Sequence, residues 1–78
     1  MKPLRWNLGK NTKLKLERGV SFEMVRTAMT KGAFSVVRNP SRNHPRQSCF
    51  VVTLNSIKWL VPFREYANHI HLFTIMRA

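Results

Sequence analysis

Residues 48–63, with the sequence SCFVVTLNSIKWLVPF, carry the clearest structural pattern in the chain. Two apolar runs, Ser48–Leu54 and Ile57–Phe63, flank the dipeptide Asn55-Ser56. An Asn-led pair of residues between two apolar runs is typical of a β-hairpin with a two-residue turn. The stretch therefore predicts two neighbouring antiparallel strands.

Alternation within the second run indicates which side of that hairpin is buried. Side chains two residues apart point to the same face of a strand. The apolar residues that share one face are Ile57, Trp59, Val61 and Phe63. Because of these neighbours, we assign Trp59 to the core in preference to base stacking. Pro62 has no backbone N–H, so it predicts that the strand ends there or lies at an edge. We expect a turn at residues 64–68 and a last strand from His69 to Met76.

The residues before the hairpin predict a short strand and two helices. Leu4–Trp6 form the strand, and Asn7 is a suitable N-cap for a helix that runs to about Arg18. Ser21 can cap a second helix, from Phe22 to about Lys31. At helical spacing, the residues of this second helix that we expect to face a sheet are Phe22, Val25, Ala28 and Met29.

A strand at Ala33–Arg38 and a proline-bearing loop at Asn39–Gln47 separate the helices from the hairpin. Helices first and strands afterwards are typical of the α+β class. We therefore predict one small basic domain, residues 1–78, in which two N-terminal helices pack on an antiparallel sheet of about four strands.

The chain is strongly basic. It has 14 Lys and Arg residues against 3 Asp and Glu residues, for a net charge of +11. An anionic surface relieves self-repulsion of this size, so we expect a nucleic acid or an acidic protein as partner. The apolar fraction of 44% exceeds that of a disordered basic tail, so we expect the chain to fold around a core.

Cysteine content and apolar runs limit the class of protein. Cys49 is the only cysteine, which excludes an internal disulfide and hence a disulfide-stapled secreted mini-protein. No segment approaches the ~20 apolar residues that span a bilayer, and residues 1–9 lack the apolar core of a secretory signal. We therefore expect a cytoplasmic protein with no membrane partner. His69 and His71 have no third ligand at a suitable spacing, so we expect no metal and no cofactor.

Short motifs follow one another along nearly the whole chain. In the first half they are Trp6-Asn7, Lys10-Asn11 and Arg18–Glu23. In the second half they are Asn39-Pro40, His44-Pro45, Gln47, Phe50–Val52, Leu60–Phe63 and Glu65. Their order and rough spacing resemble the BrnT-type toxins, a family of small toxins of type II toxin–antitoxin systems. The resemblance implies a RelE-like α+β fold, a ribonuclease activity on RNA, and a cognate acidic antitoxin that restrains it.

Cleavage of RNA without a metal needs a base for the 2′-OH proton, a donor for the leaving oxygen and cations for the phosphorane charge. Arg64 and Arg77 end predicted late strands, where a RelE-like site would form, and they are the cations that we expect at the phosphate. Glu65 and His44 are the candidates for proton transfer. The alternatives are that both arginines are solvated charges and that His44 belongs to a plain turn.

Other basic and aromatic residues predict RNA contacts outside the chemical step. They are Lys10, Lys13 and Arg18 near the first helix, Arg42 and Arg46 in the loop, and Tyr66, which suits base stacking. His69 and His71 share a face of the last strand. They either form an acid–base cluster with Glu65 or stay exposed on the solvent side.

The chain departs from the family at a few positions. The family usually has Lys where this chain has Phe73, an apolar residue where it has Arg64, and a longer basic tail than Met76–Ala78. These departures support an alternative, namely a catalytically inactive member that binds RNA or the antitoxin. A DNA-binding regulator is the weaker third interpretation, because no helix-turn-helix spacing is visible. We expect contact with DNA only through an antitoxin complex.

Overall fold

Two helices and six strands make up the chain, which a computed structural model describes from Met1 to Ala78. The helices are α1 (Leu8–Arg18) and α2 (Phe22–Thr30). The strands are β1 (Leu4–Arg5), β2 (Phe34–Arg38), β3 (Ser48–Leu54), β4 (Ile57–Glu65), β5 (Ile70–Leu72) and β6 (Met76–Arg77). Neither helix is long and apolar enough to cross a membrane.

Both helices begin at the caps that the sequence predicts. The side chain of Asn7 accepts the N–H of Lys10 at 2.9 Å, and the hydroxyl of Ser21 accepts the N–H of Met24 at 3.2 Å. Gly19, with a φ of 67°, follows α1 in the left-handed conformation that a residue without Cβ adopts at little cost. The predicted bounds of both helices are confirmed to within one residue.

The side chain of Asn11 joins the two helices. Its Oδ1 accepts the N–H of Phe22 at 2.8 Å, and its Nδ2 donates to Oε1 of Glu23 at 2.7 Å. Asn11 is only 3% exposed, so these partners replace water around its amide. The N–H of Phe22 is one of those that the first turn of a helix leaves without an intrahelical partner. The carboxamide of Asn11 therefore fixes the corner between α1 and α2.

All six strands belong to one sheet, in the order β1-β5-β4-β3-β2, with β6 paired to β4. β1 runs parallel to β5, and every other pair is antiparallel. The predicted α+β class is confirmed, whereas the expected antiparallel sheet of about four strands is corrected to a mixed sheet of six. β1 precedes both helices in the chain, and its partner β5 follows them and the hairpin. A connection of this length allows two strands to pair in parallel, which a short turn does not.

β3 and β4 form the hairpin that residues 48–63 predict. Asn55 and Ser56 have φ values of 53° and 65°. Positive φ at both central residues is the type I′ turn, whose twist matches that of the flanking strands. The two-residue turn is thereby confirmed, with Ser56 in the place that Gly usually takes.

Strand β4 is longer than predicted. It runs through Pro62 to Glu65, so the strand does not end at the proline and the turn predicted at residues 64–68 starts two residues later. The carbonyl of Pro62 accepts the N–H of Phe73 at 2.9 Å. The N and C=O groups of a residue in an antiparallel strand point toward the same neighbouring strand. The nitrogen of Pro62, which has no hydrogen to donate, therefore faces the break between β5 and β6, where no strand needs that hydrogen bond. That break divides the strand predicted from His69 to Met76.

The sheet has a helix side and an outer side. Trp59 and Val61 of β4 point to the helix side, and the register places Val52 and Phe50 of β3 beside them. A core of 14 buried residues lies between this side and the helices. Of the α2 residues predicted to face the sheet, Phe22, Val25 and Met29 belong to this core. Ala28 of α2 and Ile57 and Phe63 of β4 are partly buried and pack against it.

Strand β2 is an edge strand that the helices do not cover. It pairs only with β3, and every residue from Phe34 to Arg38 is exposed. Phe34 packs edge-on against Phe50, with 5.5 Å between ring centroids, yet 38% of Phe34 remains exposed. Val36 points to the same side and is 56% exposed. The core therefore stops at β3.

We predict that Asn11→Ala lowers the free energy of unfolding by about 1–3 kcal/mol, because it leaves the N–H of Phe22 without a partner. Chemical denaturation followed by circular dichroism measures the change. Asn43→Ala is the matched control, since Asn43 is exposed and its side chain makes no hydrogen bond in the structure. Equal stability of the two variants would contradict the structural role of Asn11.

Stability should also depend on the charge of Glu23. The hydrogen bond from Asn11 is the main reason why the pKa of Glu23 is lowered from its usual value of 4.5. A carboxyl group whose pKa is lower in the folded than in the unfolded state stabilises the fold at pH values above its unfolded-state pKa. This contribution is lost as the pH falls through the folded-state pKa. Glu23→Gln keeps an acceptor for Asn11 but does not titrate. Denaturation at about pH 6.5 and about pH 3 should therefore show a smaller acid destabilisation in the variant than in the wild type.

Candidate nucleic-acid interface

Three side chains that can carry positive charge lie in a row across the outer side of the sheet. The register pairs Arg5 of β1 with His71 of β5, and His71 with Arg64 of β4. Paired residues point to the same side, and a strand spacing of about 4.8 Å puts the two outer backbones about 10 Å apart. The row combines two guanidinium groups, which match the geometry of phosphate, with an imidazole between them.

A cleft of about 460 Å³ adjoins the row at the end of β4. Its walls include Arg64 and Glu65, Arg46 of the loop before β3, and Phe73. Arg46 and Arg64 are both exposed, so their charges face solvent. Arg64 and Glu65, which we predicted as catalytic residues, thus line one cleft with Arg46, which we predicted to contact RNA.

His44 lines a second cleft, of about 560 Å³. The two clefts share Gln47 and Phe73, so they are neighbours. The loop that carries His44 is closed at its base by Asn39, whose N–H and Nδ2 donate to the carbonyl and Oε1 of Gln47 at 2.7 and 2.9 Å. Asn39 is buried and anchors the loop, whereas His44 remains exposed.

The carboxylate of Glu65 is engaged outside the row. Its Oε2 lies 2.6 Å from Nζ of Lys2. Glu65 follows Arg64 in β4, so the two side chains point to opposite sides of the sheet. Glu65 therefore points away from the side that His71 occupies. The acid–base cluster of Glu65 with His69 and His71, one of the two alternatives from the sequence, is not formed.

The ring of Tyr66 already has two partners. It stacks on His69, with 4.7 Å between ring centroids and an interplanar angle of 10°. Cζ of Arg64 lies 5.3 Å from the centroid of the Tyr66 ring. A base that stacks on Tyr66 must compete with these side chains, although 41% of the residue is exposed.

Arg77 lies apart from the row. It pairs with Trp59, five positions before Arg64 along β4, which corresponds to about 17 Å. Its Cζ lies 5.5 Å from the centroid of the Trp59 ring, on the helix side of the sheet. Arg64 and Arg77, the two cations expected at one phosphate, are therefore not brought together.

The remaining predicted RNA contacts differ in their surroundings. Lys13 on α1 and Arg42 in the loop are exposed, whereas Lys10 on α1 is half-buried. Arg18 instead donates a hydrogen bond from Nη1 to the carbonyl of Ile75, a buried residue between β5 and β6. Arg18 thus ties the end of α1 to the break in the sheet, which is a structural task.

Arg5 is the member of the row that sequence reasoning did not single out. It lies in a two-residue strand, with no motif around it. It meets His71 only through the parallel pairing of β1 with β5. The one local indication is its alternation with Leu4, whose burial on the helix side turns Arg5 outward.

Few other groups in the chain are suited to chemistry. The thiol of Cys49 is fully buried, and burial raises its pKa, which makes it a poor nucleophile. No group of three or more His, Cys, Asp or Glu side chains could hold a metal ion. Comparison of the chain with family models, curated proteins and solved structures found no match.

We predict that Arg18→Ala lowers the free energy of unfolding by about 1–2 kcal/mol, because it removes a charge-assisted hydrogen bond to the carbonyl of Ile75. Lys13→Ala removes the same charge from an exposed part of the same helix and should change stability by less than about 0.5 kcal/mol. Urea denaturation of both variants gives the comparison. A similar stability for the two would mean that Arg18 has no structural task.

Proposed function

We propose that this protein is a metal-independent ribonuclease toxin of a type II toxin–antitoxin pair, active in the cytoplasm and held inactive by a cognate antitoxin. The observation that supports the proposal best is the row of Arg5, His71 and Arg64, with Arg46 in the adjoining cleft. The net charge of +11 attracts the phosphate backbone of RNA to this surface.

The residues of the site can supply each part of the reaction. Arg64 and Arg46 bind the reacting phosphate, and Arg5 binds a neighbouring one. His71 takes the proton of the 2′-OH, whose oxygen attacks phosphorus. The bond to the 5′ oxygen then breaks, and His44 gives that oxygen a proton, which leaves a 2′,3′-cyclic phosphate and a 5′-hydroxyl. General acid and base catalysis by two such groups contributes about 10²- to 10⁴-fold for each proton transfer.

Phe73 is a neighbour of both proposed proton-transfer groups. Its ring is 4.9 Å from that of His71, centroid to centroid, and it lines the cleft that contains His44. In this proposal the scissile phosphate binds between His71 and His44, because an in-line displacement places the base and the acid on opposite sides of phosphorus, and Phe73 borders that space. Glu65 is not assigned a proton transfer, because Lys2 holds its carboxylate.

A second candidate function is an inactive family member that binds RNA or the antitoxin without cleavage. Phe73 favours it, because an apolar ring that is 40% exposed stands in both clefts where the family usually has Lys. In this case the arginines bind phosphate, and the charge that develops at phosphorus lacks one cation.

The test is cleavage of a short single-stranded RNA, with binding measured in parallel and each reaction run both with and without a chelator. We expect the wild type to cut, His71→Asn to lose about 100-fold or more of the rate while still binding RNA, and His69→Asn to cut normally. Arg46→Gln with Arg64→Gln should reduce the salt dependence of binding by about 0.7 per lost contact. Arg26→Gln with Lys58→Gln removes the same charge elsewhere and is the control.

The outcomes separate the two candidates. Binding without any cleavage by the wild type contradicts the ribonuclease proposal and supports the second candidate, especially if Phe73→Lys gains activity and Leu16→Lys does not. If the wild type neither binds nor cuts RNA, both candidates fail. Cleavage that is abolished by the chelator contradicts a metal-independent reaction.

A further inference from the structure

Strand β2 is an exposed edge of the sheet. β2 pairs with β3 alone, so one row of its backbone N–H and C=O groups has no partner in the sheet. Proteins usually protect such an edge with proline, a bulge or inward charges, because it can pair with another chain. Residues Phe34–Arg38 contain no proline, and β2 pairs with β3 in register without a bulge. Only Arg38, at the end of the strand, is charged.

Apolar side chains of β2 are uncovered on both faces of the sheet. On the helix side, Phe63 and Phe50 stack with 3.9 Å between ring centroids. Phe34 and Val36 of β2 continue this apolar surface to the edge of the sheet. On the outer side, Val37 is 40% exposed. An added strand would bury these three side chains together with the free backbone edge, which is how β-augmentation obtains both affinity and specificity.

Charge indicates which kind of strand would bind. Lys31 precedes β2 and Arg38 ends it, while no acidic residue occurs between Glu23 and Glu65 in the sequence. Glu23 faces the same region as Lys31, but Asn11 and Lys15 hold its carboxylate, at 2.7 and 3.7 Å. The edge is thus apolar in the middle and cationic at its ends.

We infer that β2 binds an extended, acidic and apolar segment of a partner protein as an additional strand of the sheet. This inference deepens the partner named in the proposed function, on which it rests, and assigns the antitoxin a docking edge away from the phosphate row. A second copy of the chain is a poor occupant. Antiparallel pairing of β2 with itself would bring Lys31 of one copy toward Arg38 of the other, and each copy carries a charge of +11.

The probe is a synthetic peptide of about ten residues with alternating Val and Glu, which suits strand addition. Titration into isotope-labelled protein should shift the amide signals of Phe34–Arg38 and slow their hydrogen exchange. Val36→Lys should weaken binding by about 10-fold or more, because it replaces an apolar contact at the middle of the edge. Leu16→Lys, at a residue that is 83% exposed on α1, adds the same charge and should not weaken binding.

Both variants increase the attraction of an acidic peptide, so only loss of the strand contact explains weaker binding to Val36→Lys. Equal binding to the two variants, or signal shifts at Arg46 and Arg64 in place of β2, overturns the inference. Shifts at β2 that depend on protein concentration without peptide indicate self-pairing and also overturn it. Displacement of the peptide by RNA would show that the edge belongs to the nucleic-acid surface, and it would also overturn the inference. If the peptide binds at β2 but the protein does not cleave RNA, the ribonuclease proposal fails and the inference about β2 stands.

Discussion

The hydrogen bonds of the Asn11 carboxamide are the constraint on which the arrangement of this protein depends. They connect α1 to both a backbone N–H and a carboxylate at the start of α2, so the direction of α2 is set by polar contacts rather than by apolar packing alone. The helix pair then covers the middle of the sheet and leaves β2 bare. One buried polar residue thus helps to fix the orientation of the helix that covers the middle of the sheet, the specificity that satisfied buried polar groups provide.

The basic character of the surface results as much from a shortage of acids as from any cluster of bases. Of the three carboxylates, Glu65 is held by Lys2, and Glu23 by Asn11 with Lys15 nearby. Most cations therefore have no carboxylate partner in the chain. A folded domain tolerates this because the cations are spread over α1, the loop before β3 and the outer side of the sheet. Such a surface favours polyanions broadly, and the geometry of particular arginines has to supply any selectivity.

Local features were predictable from the sequence, and features that depend on distant pairing were not. Caps at Asn7 and Ser21 and the Asn55-Ser56 turn rest on neighbouring residues, so pattern and turn chemistry suffice. That β4 continues through Pro62 was not predictable, because it depends on the break between β5 and β6, which lies about ten residues later in the chain. The separation of Arg77 from Arg64 depended on which end of β4 the last strand joins. Hydrophobic periodicity identifies strands but does not fix their partners or register, which explains why the site was predicted only in part.

The parallel pairing of β1 with β5 also has a consequence for synthesis. A ribosome delivers the chain from its N-terminus, so β1, α1 and α2 are synthesised well before β5. Arg5 is made almost at once but has no neighbour to complete the row until His71 emerges. A chain that has not yet reached β5 therefore carries most of its positive charge without the assembled row of Arg5, His71 and Arg64. The parallel pairing therefore makes completion of the row a late step, because one of its members precedes both helices and its partner follows the hairpin.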